Sequence, residues 1–268
     1  MIDLQYEDQT YELRGLIYKV RNELKAGWPE EIYHQALVRL LQEKDIPALS
    51  KPRRSLFHRA IEVHLFEPDI IVSNQIILEL KVLPFNTDFA AAHYVQLINY
   101  LKFFGKNLGM LVNFAPTRVR IKRVLWNEPE LDILEDYEKI KPDLSNRDRQ
   151  NLRQVRKQIL HIAKQYGLGY PEHVYRKIVA IEIVHHGLKC STEVAVPARW
   201  NEVVLAHHHT EKLLVADSYL IHIRSLLHHP TAYDYIQTKT YLEALGLNIG
   251  LVVNFGRRQL QIYGINAG

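Results

Sequence analysis

Gly27-Trp28-Pro29-Glu30-Glu31-Ile32-Tyr33 recurs as Gly169-Tyr170-Pro171-Glu172-His173-Val174-Tyr175, 142 positions later. Near the end of each half, Tyr100-Leu101, Gly105, Asn107, Gly109 and Val112-Asn113-Phe114 recur at a shift of 141 as Tyr241-Leu242, Gly246, Asn248, Gly250 and Val253-Asn254-Phe255. Two copies of over a hundred residues in a chain of 268 make a tandem duplication of a domain-sized unit, not a solenoid array. Such a chain is constrained to build one architecture twice. The copies are expected at residues 1–126 and 151–268, with a polar connection at 127–150 that carries Pro129, Pro142 and a short helical piece.

Within the first copy, the apolar runs Ile70-Ile71-Val72 and Ile76-Ile77-Leu78 flank Ser73-Asn74-Gln75, a turn-forming triplet, and predict a β-hairpin. A turn centred on Asn74 pairs residues whose numbers sum to 148, which sets Asp69 opposite Glu79. Cross-strand neighbours have Cβ atoms about 5 Å apart, so two acids there destabilise the sheet and raise each other's pKa unless a cation lies between them. Glu79 and Lys81, two apart on one strand, point to the same face. Two acids and a lysine at one spot suit metal-assisted phosphodiester hydrolysis. Carboxylates hold a hard cation such as magnesium or manganese, which acidifies its water, and the lysine orients the nucleophile or stabilises charge at phosphorus.

Pro68-Asp69 followed by Glu79-x-Lys81 resembles the signature of the PD-(D/E)XK nuclease superfamily, and Gly27-x-x-Glu30-x-x-Tyr33 resembles that of its GxxExxY proteins. The likeness runs over residues 11–126. It implies an α/β fold of two restriction-endonuclease-like domains, each a mixed central sheet flanked by helices. It also implies that Glu30 is a helix-borne acid joining Asp69 and Glu79 around a magnesium or manganese ion, that Lys81 is the catalytic lysine, and that Gln96 and Tyr100 are auxiliary residues on the next helix. The implied partner is nucleic acid, with DNA favoured over RNA.

Read in order, Leu13, Leu16, Ile17, Val20 and Leu24 have helical spacing, and Gly27-Trp28-Pro29 precedes a second helix at 30–44 with Tyr33, Leu37, Leu40 and Leu41 buried and Glu31 on the surface. Residues 56–65 read as a strand in which Ile61, Val63 and Leu65 share a face. Pro84-Phe85-Asn86-Thr87-Asp88 reads as a loop, 90–104 as a helix with Gln96 and Tyr100 on one face, and Met110-Leu111-Val112-Asn113-Phe114 as a buried strand. Arg118, Arg120, Lys122 and Arg123, with Arg53, Arg54, Lys102 and Lys106, either line a phosphate-binding groove or form a solvated surface.

The second copy departs from the first where the chemistry is expected. Aligning Tyr219–Leu226 with Ile76–Leu83, a shift of 143, puts Lys212 in place of Asp69, His222 in place of Glu79 and Arg224 in place of Lys81, while Glu172 and Gln237 stand at the places of Glu30 and Gln96. Such a set holds no hard cation. The second copy is expected to keep the fold without the metal site, its Lys212 and Arg224 contacting nucleic acid or its surface completing an intrachain pseudo-dimer. Its paired histidines, such as His207-His208-His209, point to alternate faces of a strand and do not converge on a transition metal.

Composition adds little. No apolar run reaches the ~20 residues of a membrane span, Met1-Ile2-Asp3-Leu4-Gln5 does not begin a signal peptide, and the single Cys190 fits a reducing compartment, so the cytoplasm is expected. A net charge of +4 is compatible with a polyanionic partner. These features point to a metal-dependent nuclease acting through the first copy. The alternative is a non-catalytic nucleic-acid-binding or assembly protein built on a nuclease fold.

Overall fold

The computed structural model describes residues 6–84, 87–115 and 118–268; the amino-terminal pentapeptide, and Phe85 and Asn86 of the expected loop, lie outside them. The chain forms two units, one running to Leu56 and resuming over His64–Glu128, the other made of Phe57–Val63 and Pro129–Gly268.

In the first unit, α1 (Glu7–Leu24) and α2 (Glu30–Glu43) precede β1 (Ala48–Ser50), β4 (Ile70–Val72), β5 (Ile76–Lys81), α3 (Ala91–Phe104), β6 (Leu108–Asn113) and β7 (Arg120–Leu125), while β2 (Arg54–His58) and β3 (Ile61–Phe66) begin and end in this unit and give their Phe57–Val63 portion to the second. The sheet order is β1-β4-β5-β6-β7, with β2 and β3 as a separate ribbon. Among the described strands of this sheet, β5 and β6 alone pair in parallel, because α3 carries the chain back across the sheet between them. Period-two alternation divides the strands between two cores. Ile76, Leu78 and Leu80 pack with Leu13, Ile17, Tyr33 and Leu37 of α1 and α2, whereas Ile71, Ile77 and Leu111 pack with Leu97 and Leu101 of α3. Gly109 permits the close approach of α3: a Cβ there would lie 2.7 Å from Leu97 Cδ1.

Residues 56–65 differ from expectation. They form not one strand but the arms of the β2–β3 ribbon, turned by Arg59 and Ala60 at φ 46° and 62°. Val63 is buried, but Ile61 and Leu65 are 47% and 43% exposed, because a ribbon outside the main sheet buries one face only locally.

The second unit repeats this plan. It contains β8 (Asp132–Asp136), a short 3-10 turn, α4 (Asn146–Tyr166), α5 (Glu172–His185), β9 (Cys190–Ser191), β10 (Val194–Trp200), β11 (Val203–Thr210), β12 (Leu213–Val215), β13 (Tyr219–Arg224), α6 (Ala232–Leu245), β14 (Ile249–Phe255) and β15 (Gln259–Asn266). Its sheet order, β8-β15-β14-β13-β12-β9, reproduces the first with one strand added. That strand, β8, lies inside the stretch expected to be a connection and pairs in parallel with β15. Both units are therefore mixed α/β sheets flanked by helices. Within the second unit, Glu182, 1% exposed, accepts from Arg59 Nε and Nη2 at 2.7 and 2.9 Å and from His58 Nε2 at 2.8 Å.

Candidate active site

The β4–β5 hairpin has the register its sequence demands. Ile70 pairs with Leu78, Ile71 with Ile77 and Val72 with Ile76, while Ser73 and Asn74 turn at φ 48° and 54° and Gln75 N–H donates to Val72 O at 2.9 Å. Continued by one residue, this register sets Asp69 against Glu79 at the carboxyl end of β5. Glu79 and Lys81 share the face of Ile77, towards α3. Lys81 Nζ donates to Glu79 Oε1 at 2.7 Å; Glu79 is 2% exposed, and its Oε2 is buried without a hydrogen-bond partner. Asp69 Oδ2 accepts from Leu80 N–H at 2.6 Å, and Asp69 O accepts from Lys51 N–H at 2.8 Å and from His34 Nε2 at 3.2 Å.

Glu30 is the first residue of α2, and Tyr33 places it there. The Tyr33 ring stacks on Phe114 at 4.6 Å, and its hydroxyl donates to Lys25 O at 2.7 Å, tying down the loop that enters the helix through Gly27 at φ 101°. Tyr175 does the same in the second unit, stacking on Phe255 at 4.1 Å and donating to Gly167 O at 2.7 Å. The tyrosine of the repeated heptapeptide is thus a positioning residue for the acid three places before it.

The electrostatics follow from burial. Burial and the Asp69 charge push the Glu79 carboxyl up to about 7, against the pull of Lys81. Burial also raises Asp69, opposed by the Leu80 N–H, and raises Glu30, opposed by Lys81. Lys81 is disfavoured as a cation by burial, yet Glu79, Glu30 and Asp69 together hold it above the ordinary lysine range. On α3, Gln96 Nε2 donates to Tyr100 OH at 3.1 Å, and burial with the nearby Glu79 and Asp69 charges pushes the phenol up to about 12. Among the described residues, no three His, Cys, Asp or Glu side chains stand close enough together to hold a metal ion as they are. Glu79 Oε2 is an uncompensated carboxylate oxygen, and a carboxylate pair facing across a hairpin with one orphaned oxygen fits a hard cation.

The model of the PD-(D/E)XK nuclease superfamily matches the chain twice, over residues 7–124 and 149–264. The chain belongs to this superfamily. Its two matches coincide with the two copies of the duplication, and the superfamily's general chemistry is hydrolysis of phosphodiester bonds. No curated protein matches the chain. A solved structure, "Crystal structure of SSO0001", matches at 22% identity with a TM-score of 0.30, over 46% of this chain; the chain spans 60% of that protein.

In this PD-(D/E)XK chain, the basic residues read as either a phosphate-binding groove or a solvated surface lie at several places in the first unit. Arg120 pairs opposite Asn113, itself opposite Lys81, and donates to Thr87 O at 3.1 Å, so it and the exposed Arg118 lie at the site end of the sheet. Arg53 pairs with Glu67, and the Arg54 guanidinium lies 5.6 Å from the Phe103 ring centre. Two of the set lie away from that end. Lys102 is buried, 3.8 Å from Glu128, and burial lowers it to about 8; Lys106 donates to Asn74 Oδ1 at 2.9 Å, at the turn end of β5, several residues of strand away from Lys81. Sequence reasoning missed His34 and Lys51. His34 stands four residues after Glu30, on its helix face, which is a legible signal; Lys51 reaches Asp69 only through the pairing of β1 with β4.

In the second unit, β12 and β13 pair in the same register as β4 and β5, which sets Lys212 against His222. Lys212 and Arg224 line a cleft of about 280 Å³ rather than an open surface. Arg224 is held by Glu172 at 2.8 Å and Asp234 at 3.0 Å. His222 is kept neutral by burial, which lowers it to about 3 with help from the Lys212 and Arg224 charges.

Proposed function

We propose that the first unit hydrolyses phosphodiester bonds of nucleic acid, DNA before RNA, with a magnesium or manganese ion held by Asp69 and Glu79. The observation that carries this is Glu79 Oε2, buried and unpartnered on a carboxyl facing Asp69 and bonded to Lys81. Magnesium is commonly bound through one or two carboxylates plus waters and substrate phosphate, so no third protein ligand is required. When bound, the ion supplies an acidified water and offsets charge on the phosphate.

The chain's own residues do the rest. Asp69 and Glu79 bind the cation in the carboxylate form. Lys81, kept protonated by the surrounding acids, directs its ammonium at the phosphate oxygens where charge accumulates during attack. Glu30, its carboxyl raised by burial, accepts a proton or orients water from the helix side, and Gln96 and Tyr100 hold the opposite wall. The second unit, with Lys212 and His222 where the first has its two acids, takes no part in the cutting. A metal-dependence assay on a panel of single- and double-stranded DNA and RNA tests this. Cleavage that needs magnesium or manganese and is lost in Glu79→Gln supports the proposal; a pure protein that cuts none of the panel with either metal leaves the non-catalytic binding role instead.

A further inference from the structure

The second unit's former site has been rebuilt rather than abandoned. The residues retained from the first copy now fasten the replacements. Gln237, in the place of Gln96, accepts from Lys212 Nζ at 2.6 Å, and Glu172, in the place of Glu30, accepts from Arg224 at 2.8 Å. Tyr241, in the place of Tyr100, keeps its 3.3 Å hydrogen bond from Gln237 and sets its ring 4.7 Å beneath the Lys212 ammonium.

The charges within the cleft are unevenly satisfied. Glu172 and Asp234 are both engaged by Arg224, and Glu211 by Arg176. Lys212 is 4% exposed, and its hydrogen-bond partner is a neutral amide; among the described residues it forms no ion pair. An ammonium buried in that way is disfavoured unless an anion joins it. We propose that this cleft binds a phosphate group, held by Lys212 with Arg224 and His208 around it. The inference is independent of the activity proposed for the first unit. At about 280 Å³ the cleft has room for one phosphate and its waters. Burial, followed by the Arg224 charge, lowers Lys212 to about 8, and a bound anion would restore its proton affinity.

The test is calorimetry on the full chain in the presence of a chelator, which removes metal from the first unit. The probes are inorganic phosphate and a short oligonucleotide carrying either a 5′-phosphate or a 5′-hydroxyl. Phosphate is expected to bind once per chain and to raise the melting temperature beyond chloride at equal ionic strength. Lys212→Met should weaken it by about tenfold or more, while Asp69→Asn leaves it unchanged. Since Lys212→Met removes a buried charge, the variant should fold, and the melting shift of the unaltered protein stands as a second readout. Preference for the phosphorylated oligonucleotide over free phosphate makes a strand end the source; equal or weaker binding makes it a small free phosphate. Phosphate that shifts melting no more than chloride, or that binds Lys212→Met as tightly as the unaltered chain, overturns the proposal.

Discussion

Glu79 gives one oxygen, Oε1, to a 2.7 Å hydrogen bond from Lys81 Nζ and keeps the other buried without a partner. The first unit therefore carries a destabilising acid at the end of its central strand. Its folded pKa of about 7 lies above the ordinary glutamate value of 4.5. Below 4.5 the acid is protonated in both folded and unfolded states; as pH rises through 7 the unfolded chain has released its proton and the folded one resists, so stability is lost across that window. Glu79→Gln should therefore be more stable than the unaltered chain at pH 8, by roughly 2–3 kcal/mol at most, with the difference closing towards pH 4.5. Urea unfolding of both proteins across this range, in chelator, measures it. A difference independent of pH would remove the raised acid from the argument.

Magnesium or manganese should relieve the same strain. At a hundredfold excess over Kd a ligand adds about 2.7 kcal/mol, enough for a clear rise in melting temperature. Because the ligands bind deprotonated, the affinity should rise with pH until Glu79 is ionised, near 7. The Asp69→Asn, Glu79→Gln double variant should be more stable without metal and indifferent to it. Equal shifts in both proteins would place the ion elsewhere.

Lys81→Ala separates chemistry from binding. The ammonium competes with a cation for Glu79 Oε1, so its removal should leave metal affinity unchanged or tighter, while the single-turnover cleavage rate falls by about 10²–10³. Nucleic-acid affinity should change little. An unaltered rate would assign the cleavage to another group.

Glu182 makes the opposite prediction in the second unit. The Arg59 hydrogen bonds hold its carboxyl down at about 2, despite burial, with His58 assisting. An ionised carboxylate only accepts, so His58 donates through Nε2 and its Nδ1 accepts from Tyr166 OH at 2.7 Å. A depressed folded pKa contributes stability that is present above 4.5 and lost as pH falls towards 2. Glu182→Ala should cost about 3 kcal/mol at neutral pH, by stranding the buried His58 and its neighbour Arg59. The loss should shrink in acid. Thermal unfolding at pH 7 and pH 3 checks both statements.

By itself the sequence determined the features that depend on neighbours along the chain. The hairpin register that sets Asp69 against Glu79 follows from two apolar runs about a turn, and the helix faces of α1 and α2 follow from the spacing of Leu13, Ile17, Tyr33 and Leu37. The duplication was legible because the same local devices, a positive-φ glycine before the helix and a tyrosine inside it, must recur wherever the architecture recurs. Tertiary structure decided what depends on distant partners. Arg59 and Ala60 turn the β2–β3 ribbon with neither glycine nor asparagine, so no turn signal marks it, and β8 is a strand only because β15 offers it an edge. Lys102 and Lys212 read as surface cations in one dimension, and burial withdraws both. The re-employment of Gln237 and Glu172 lies beyond any local pattern: their partners, Lys212 and Arg224, stand 25 and 52 residues away, and only the folded unit brings amide to ammonium and carboxylate to guanidinium.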